Sequence, residues 1–338
     1  MTDVASPRTP DAQAPGPALA GARAAPPAHR PAWLEIDLDA IAENVAALRE
    51  HARAAELMAV VKADGYGHGL VESARAALAG GASELAVALV EEGEALRDAG
   101  VSAPILLLTE PPAAAIGALL EASLTPAVYS PGFTAALDAA VTERGVAPLG
   151  VHLKLDTGMR RVGVPQHDWE DALRRIRDAG GLRLAGLWSH FAVADEPAHP
   201  FIASQAEEFE RGLALARELG TPPDVAHLAN SAAALHLPDT HYDLVRPGLS
   251  VYGLEPAPGL ARDVPLRPAL ALRSRLSLVK RLASGEAVSY GLTWAPTADT
   301  RLGTVPLGYA DGVVSGARLE VETRLPWEAD LFRGRRIP

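Results

Sequence analysis

The sequence predicts an α/β fold: a (β/α)8 TIM-type barrel followed by a C-terminal, mainly-β domain. Three observations carry that prediction. Eight short apolar runs recur between residues 58 and 252, and helix-like segments separate most of them. Continuous apolar runs are the mark of parallel strands buried on both faces, and eight such units in roughly 200 residues suit a closed barrel better than a doubly wound sheet. After about residue 265 strand-like runs follow one another without helices, as in a separate β-rich unit.

In chain order, residues 1–31 hold seven prolines among Ala, Gly and small polar residues and read as a disordered tail. Trp33–Asp37 has strand character, and Asp37 or Asp39 can cap a helix carrying Ile41, Val45 and Leu48 on one face. The expected barrel strands are Met58–Lys62, Leu85–Val90, Pro104–Thr109, Pro126–Ser130, Val151–Asp156, Leu184–Phe191, Val225–Asn230 and Leu244–Tyr252. Leu70–Ala79, Glu91–Ala99 and Phe209–Leu219 read as helices between them. The barrel domain is placed at residues 32–265 and the β-domain at 266–338, with strands at Ala271–Leu282, Glu286–Tyr290, Thr300–Leu307 and Arg318–Thr323. Arg336-Ile337-Pro338 reads as the entry into another strand, so the β-domain is expected to be incomplete and the chain a C-terminally short piece.

Composition narrows the function. A net charge of −11 argues against nucleic acid or an anionic membrane as the main partner. The absence of cysteine excludes disulfides, thiolate metal sites and thiol nucleophiles, and no metal is expected. No apolar run reaches the ~18 residues of a membrane span. No secretory signal pattern opens the chain, so a cytoplasmic location is expected.

The 31 basic residues are 28 arginines and three lysines, Lys62, Lys154 and Lys280. GC-rich coding accounts for such a bias, and it makes each remaining lysine informative. Arginine keeps its proton in a protein, whereas lysine can become a neutral amine and form a Schiff base. Lys62 ends an apolar strand and precedes a glycine-rich turn, Ala63-Asp64-Gly65-Tyr66-Gly67-His68-Gly69. Desolvation there would lower its pKa and make it a nucleophile, although a strand-end lysine reaching solvent fits equally well. His190, Asn230, Ser231, Arg246, Gly248 and Leu249 fall at other strand ends, where barrel enzymes collect their sites. Singly, His190 reads as a core histidine, Asn230-Ser231 as a helix cap and Arg246 as an ion-pair partner. Together with Lys62 they supply a Schiff-base lysine, a platform, a phosphate cradle and a cation, the parts of a pyridoxal 5'-phosphate site.

The segment Val60-Val61-Lys62-Ala63-Asp64-Gly65-Tyr66-Gly67-His68-Gly69 resembles the cofactor-lysine signature of the alanine racemase family. Four further segments are similar to the family in the same order: His152–Gly163, Ser189–Asp195, Val245–Gly248 and Pro306–Gly312. The resemblance runs from about Trp33 to the end of the chain. It implies a barrel with a C-terminal β-domain, a head-to-tail homodimer with shared active sites, and interconversion of L- and D-alanine, which supplies D-alanine for cell-wall peptidoglycan.

The resemblance also implies roles. Lys62 would hold the cofactor and act as base on one face of the substrate α-carbon. Tyr309, from the partner's β-domain, would act on the other. Arg246 would face the pyridine nitrogen and, having no proton to give, leave it unprotonated. His190 would lie near the ring. Tyr66, Ser231, Gly248, Leu249 and Tyr252 would surround the phosphate, with Asn230 a further member of that group. Arg161 would touch the substrate carboxylate. Lys154 matches a lysine that carries a carbamate in many members; the alternative is an unmodified lysine balanced by an anion. Lys280 has no assigned role. Family members continue beyond the equivalent of Pro338, with a methionine and a tyrosine that support the partner's site.

A broad-specificity amino-acid racemase on the same fold is the main alternative, because one methylene changes substrate choice by only ~1–3 kcal/mol. A non-catalytic pyridoxal phosphate-binding protein would lack the second domain that carries Tyr309. A decarboxylase on this barrel would need a cysteine.

Overall fold

The computed structural model describes residues 29–52 and 55–312. Residues 1–28, most of the expected tail, and the expected strand Arg318–Thr323 lie outside the described residues. The described chain forms two compact units, one of residues 36–270 and one of residues 29–35 with 271–312.

The first unit is the barrel. Its strands are β2 (Glu56–Val60), β3 (Glu84–Val87), β4 (Ile105–Leu107), β5 (Thr125–Val128), β6 (Leu149–Lys154), β7 (Leu182–Trp188), β8 (Val225–His227) and β9 (Leu244–Val245). They pair in parallel in the order β8-β7-β6-β5-β4-β3-β2-β9. Asp243 N–H donates to Ala226 O at 3.1 Å and Arg246 N–H to Ala229 O at 3.0 Å, which joins the two ends of the sheet. Each of the eight expected runs overlaps a barrel strand, five of the strands beginning one or two residues before the run, and every run extends past the C-terminal end of its strand.

Helices α1 (Leu38–His51), α3 (Leu70–Ala79), α4 (Val90–Asp98), the short α5 (Ile116–Glu121), α6 (Pro131–Arg144), α7 (Trp169–Asp178) and α8 (Phe201–Glu218) carry most of the outer layer. Asp37 caps α1, its Oδ1 accepting from Ala40 N at 3.0 Å, and Ile41, Val45 and Leu48 are buried as the periodicity predicts.

Strand parity sorts the barrel wall. Leu57, Ala59, Val61, Leu85, Val87, Ile105 and Leu107 join the large core shared with the helices. Met58, Val60, Ala86, Leu106 and Leu244 form a separate inner cluster. Side chains alternate across a strand, so the residues at the same inner parity on β6 to β9 are His152, Lys154, Gly186, Trp188 and His227, with Arg246 just after β9. Gly186 is required there: a Cβ would lie 2.5 Å from the His152 ring.

In the second unit β1 (Ala32–Ile36) pairs with β10 (Leu270–Ser274), so the opening strand does not belong to the barrel sheet. β11 (Leu278–Leu282) pairs antiparallel with β12 (Thr300–Thr304). The expected run Ala271–Leu282 is therefore two strands. Glu286–Tyr290 forms no strand; Val288 makes a single bridge to Trp294, and Ser289 and Gly291 turn the chain at φ +65° and +72°. β12 ends before Pro306, which has no N–H to continue a ladder.

Candidate active site

Beyond β2 the chain makes a left-handed turn, α2 (Lys62–Gly67), with Ala63, Asp64, Gly65 and Tyr66 at φ between 54° and 60°. Left-handed backbone costs roughly 1–2 kcal/mol for each residue with a side chain. Local bonds offset part of this cost. Asp64 Oδ1 accepts from Leu70 N at 2.8 Å, Asp64 O from Gly69 N at 2.9 Å, and Gly65 O from His68 N at 3.0 Å. The turn follows the end of the strand at Val60 and brings the Tyr66 hydroxyl against Gly248, where any Cβ would lie 2.4 Å from it. Strain of this kind collects at functional sites.

A cavity of about 460 Å³ opens at these strand ends. Lys62, Tyr66, Lys154, Arg161 and His190 line it, as do Asn230, Ser231, Arg246, Gly248 and Leu249. Two expected site residues stand elsewhere. Tyr252 lies behind the wall, its ring 5.0 Å from that of Tyr66 and its hydroxyl donating to Val60 O at 3.2 Å. Tyr309 belongs to the second unit, in the short turn Tyr309–Asp311, and is 81% exposed.

At one part of the cavity Ser231 Oγ accepts from Gly248 N at 2.9 Å and from Ser250 N at 3.3 Å. Asn230 is the cap of the short helix α9 (Ser231–His236), its Oδ1 accepting from Ala233 N at 3.1 Å. The cap reading of Asn230 therefore holds, and the residue lines the cavity as well.

Arg246 is buried, yet it faces no carboxylate. Nη1 donates to His227 Nδ1 at 2.9 Å, and Nη2 to Ser189 O at 2.7 Å and Leu228 O at 3.2 Å. Burial pulls its pKa down to about 9. Because His227 Nδ1 accepts, its Nε2 carries the proton and reaches His152 Nδ1 at 2.8 Å. Burial, reinforced by the Arg246 charge, holds both imidazoles neutral, His152 at about 4 and His227 well below its ordinary value. His190 is lowered for the same reasons.

Trp188 stacks on His227 at 5.5 Å, and Lys154 Nζ stands 3.7 Å above the Trp188 ring. The ring favours the ammonium by about 0.5–2 kcal/mol. Burial, with the Arg246 and Arg161 charges, acts the other way and lowers the Lys154 pKa to about 7. Burial is the larger effect. Asp156 shapes the loop to Arg161, its Oδ1 accepting from Gly158 N at 2.9 Å and Arg160 N at 3.0 Å.

The sequence reading missed Trp188, Thr109 and Asp195, which line the cavity, and the His152–His227 pair behind Arg246. Parity was the available signal: His152, Lys154, Trp188 and His227 share one side of their strands.

Four cationic side chains, Lys62, Lys154, Arg161 and Arg246, thus line one cavity, and none forms an ion pair among the described residues. Unpaired cations, of which Lys154 and Arg246 are buried, a hydroxyl and backbone cluster at Ser231, and a lysine at the strand end fit a phosphorylated aldehyde cofactor. Fold and site together define a barrel protein with a cation-lined cavity at the C-terminal ends of its strands.

The sequence matches two family descriptions, "Alanine racemase, N-terminal domain" over residues 36–256 and "Alanine racemase, C-terminal domain" over residues 269–326. An alanine racemase of Thermobifida fusca is 47% identical over 287 residues, covering 83% of this chain and 76% of its own. That of Mycolicibacterium vanbaalenii is 48% identical, covering 90% of this chain and 76% of its own. Among solved structures, the alanine racemase of Streptomyces coelicolor superposes with a TM-score of 0.77 at 45% identity, covering 86% of this chain and 79% of its own. The alanine racemase of Bacillus anthracis, with bound L-Ala-P, reaches a TM-score of 0.74 at 35% identity, covering 85% and 75%. The chain belongs to the alanine racemase family, whose members depend on pyridoxal phosphate, and it is an isomerase with racemase activity.

Proposed function

We propose that the protein interconverts L- and D-alanine with pyridoxal 5'-phosphate as cofactor and with Lys62 and Tyr309 as its two bases. The observation that carries this is the cavity at Lys62, lined by cations without anionic partners. Bound there, the cofactor draws electrons from the substrate α-carbon and so acidifies its proton. Lys62 anchors the cofactor and moves that proton on one face. Tyr309 Oη moves a proton on the opposite face, as inversion requires. Arg161 holds the substrate carboxylate. Tyr66, Asn230, Ser231, Gly248 and Leu249 surround the phosphate, with Tyr252 supporting Tyr66 from behind. Arg246 would donate to the ring nitrogen, and His190 would flank the ring.

Lys154 is the carbamate site in this reading. A neutral amine adds to carbon dioxide and releases one proton, leaving an N-carboxylate. A lysine lowered to about 7 has that neutral amine at ordinary pH, and the product would pair with the Arg161 guanidinium.

Tyr309 acts in the partner's site of a homodimer. Its exposure, and that of Leu278, Val279, Tyr290 and Leu292 in the same unit, supports a surface meant to be covered. No described helix is long and apolar enough to cross a membrane, and the proposed location is the cytoplasm.

Borohydride reduction of the cofactor-loaded protein, followed by peptide mapping, should place the label on Lys62. Label on Lys154 or Lys280 would overturn the assignment. Racemisation rates with alanine, serine and basic amino acids should favour alanine; equal rates would point to the broad-specificity alternative.

A further inference from the structure

The left-handed turn after Lys62 breaks the barrel's own hydrogen-bond ladder. Val61 N–H donates to Ala86 O at 2.9 Å, the last bond from β2 to β3. Regular pairing would continue two residues on, at Ala63 and Ala88. Ala63 has already turned to φ +55°. Its N–H goes instead to a side chain: Glu92 Oε1 accepts from it at 2.6 Å. The other carboxylate oxygen, Oε2, accepts from Ala88 N at 2.9 Å and Leu89 N at 3.1 Å. Ala88 O in turn accepts from the Thr109 hydroxyl at 2.7 Å, which reaches the end of β4. The ends of three neighbouring strands are therefore tied together at the cavity rim.

We infer that Glu92 is a positioning residue for Lys62: its carboxylate replaces the missing ladder bond and holds the left-handed turn that presents Lys62 and Tyr66. The assignment of Lys62 to catalysis rests on the proposed function; the brace itself does not. Glu92 is also the third residue of α4 and caps that helix through Leu89 N. The two roles make different demands. A cap needs one side-chain oxygen, and Gln serves at that position as well as Glu. The brace needs two acceptor oxygens facing N–H groups on different strand ends. A glutamine has one oxygen, and its NH2 would meet an N–H in either orientation.

The test is Glu92→Gln in the full chain, with Glu91→Gln as control. Glu91 is exposed in the same first turn of α4, so its variant removes the same charge near the same helix end. Amide exchange is measured first on the cofactor-free protein. In Glu92→Gln, exchange across residues 62–67 should accelerate roughly 10- to 100-fold, the worth of a charge-assisted hydrogen bond, while Glu91→Gln leaves it unchanged. In the loaded enzyme kcat should fall about tenfold or more with KM nearly constant and melting temperature close to the parent. Unchanged exchange at residues 62–67 in Glu92→Gln would overturn the brace and leave only the cap. Accelerated exchange with unchanged kcat would overturn its role in positioning Lys62. Lys62→Ala separates the two ideas: if that variant still racemises alanine, the reading of Lys62 fails, while the exchange result continues to judge the brace.

Discussion

The two halves of the barrel interior are built from opposite chemistry. On β2, β3 and β4 the inward residues are Met58, Val60, Ala86 and Leu106, all buried and apolar. On β6, β7 and β8 and just beyond β9 they include His152, Lys154, Trp188, His227 and Arg246, also buried but cationic or aromatic, while Leu244 of β9 joins the apolar cluster. The first half contributes stability by excluding water. The second half spends it, because buried cations without anions lose their hydration and regain little. Lys62 stands where the apolar half ends, and the groups that would receive an anionic cofactor stand on the other. A barrel built this way is stable in one half and poised for a ligand in the other.

The largest expected effects are on turnover. Lys62→Ala should lower racemisation by at least about 10⁴-fold, since anchor and base are lost together. Tyr309→Phe should cost about 10²–10⁴-fold, one proton-transfer group. Chiral chromatography of the alanine product measures both. Mixing Lys62→Ala with Tyr309→Phe subunits should restore part of the activity, since each mixed dimer would contain one intact site. No recovery despite proven subunit exchange would count against a shared site.

Next comes stability in the apolar half. Met58→Ala should destabilise the cofactor-free protein by about 2–5 kcal/mol, the usual cost of such a cavity, at every pH. Gly186→Ala tests the polar half sterically, because its Cβ would press on the His152 ring. Overpacking costs about 1–3 kcal/mol, and the displaced His152 should also loosen the bond to His227. Denaturant titration measures both losses. A Gly186→Ala protein as stable as the parent would show that the His152–His227 pair has room to move.

How far the sequence exposed this division is uneven, for physical reasons. The eight strands were legible because parallel strands buried on both faces read as apolar runs. Lys62 was legible because lysine is scarce and a glycine-rich turn follows it. The left-handed turn was not, since Ala63, Asp64 and Tyr66 adopt positive φ only through tertiary bonds such as that from Glu92. His152 and His227 were hidden inside apolar runs, where the outward residues dominate the pattern. Tyr252 was assigned to the phosphate's surroundings, but its ring supports Tyr66 from behind the cavity wall. In the β-unit a strand is expected at Glu286–Tyr290, but the positive φ of Ser289 and Gly291 turns the chain and leaves only the bridge from Val288 to Trp294.

The last effect is the one most specific to the polar half, and it is read from a change with pH rather than from a single stability. Lys154 is 4% exposed, makes no ion pair among the described residues, and has its pKa lowered from 10.5 to about 7, chiefly by burial. A lowered pKa in a base means that the unfolded chain binds the extra proton more readily. The resulting penalty on the folded state is fully present below pH 7, shrinks as pH rises from 7 toward 10.5, and is absent above that. Lys154→Met keeps the stem over Trp188 and removes the charge. In cofactor-free protein and carbonate-free buffer it should raise stability most at pH 6 and progressively less by pH 9.5. The difference between variant and parent should change by at most about 1.4 kcal/mol per pH unit inside that window. Loading the cofactor should shrink the gain, because its phosphate is an anion in the same cavity and relieves the same charge. Met58→Ala, by contrast, should show no pH dependence and no relief on loading beyond the ordinary stabilisation by a bound ligand. A Lys154→Met gain that is constant with pH would mean that the ammonium over Trp188 is not strained, and the contrast between the two halves would then rest on Arg246 alone.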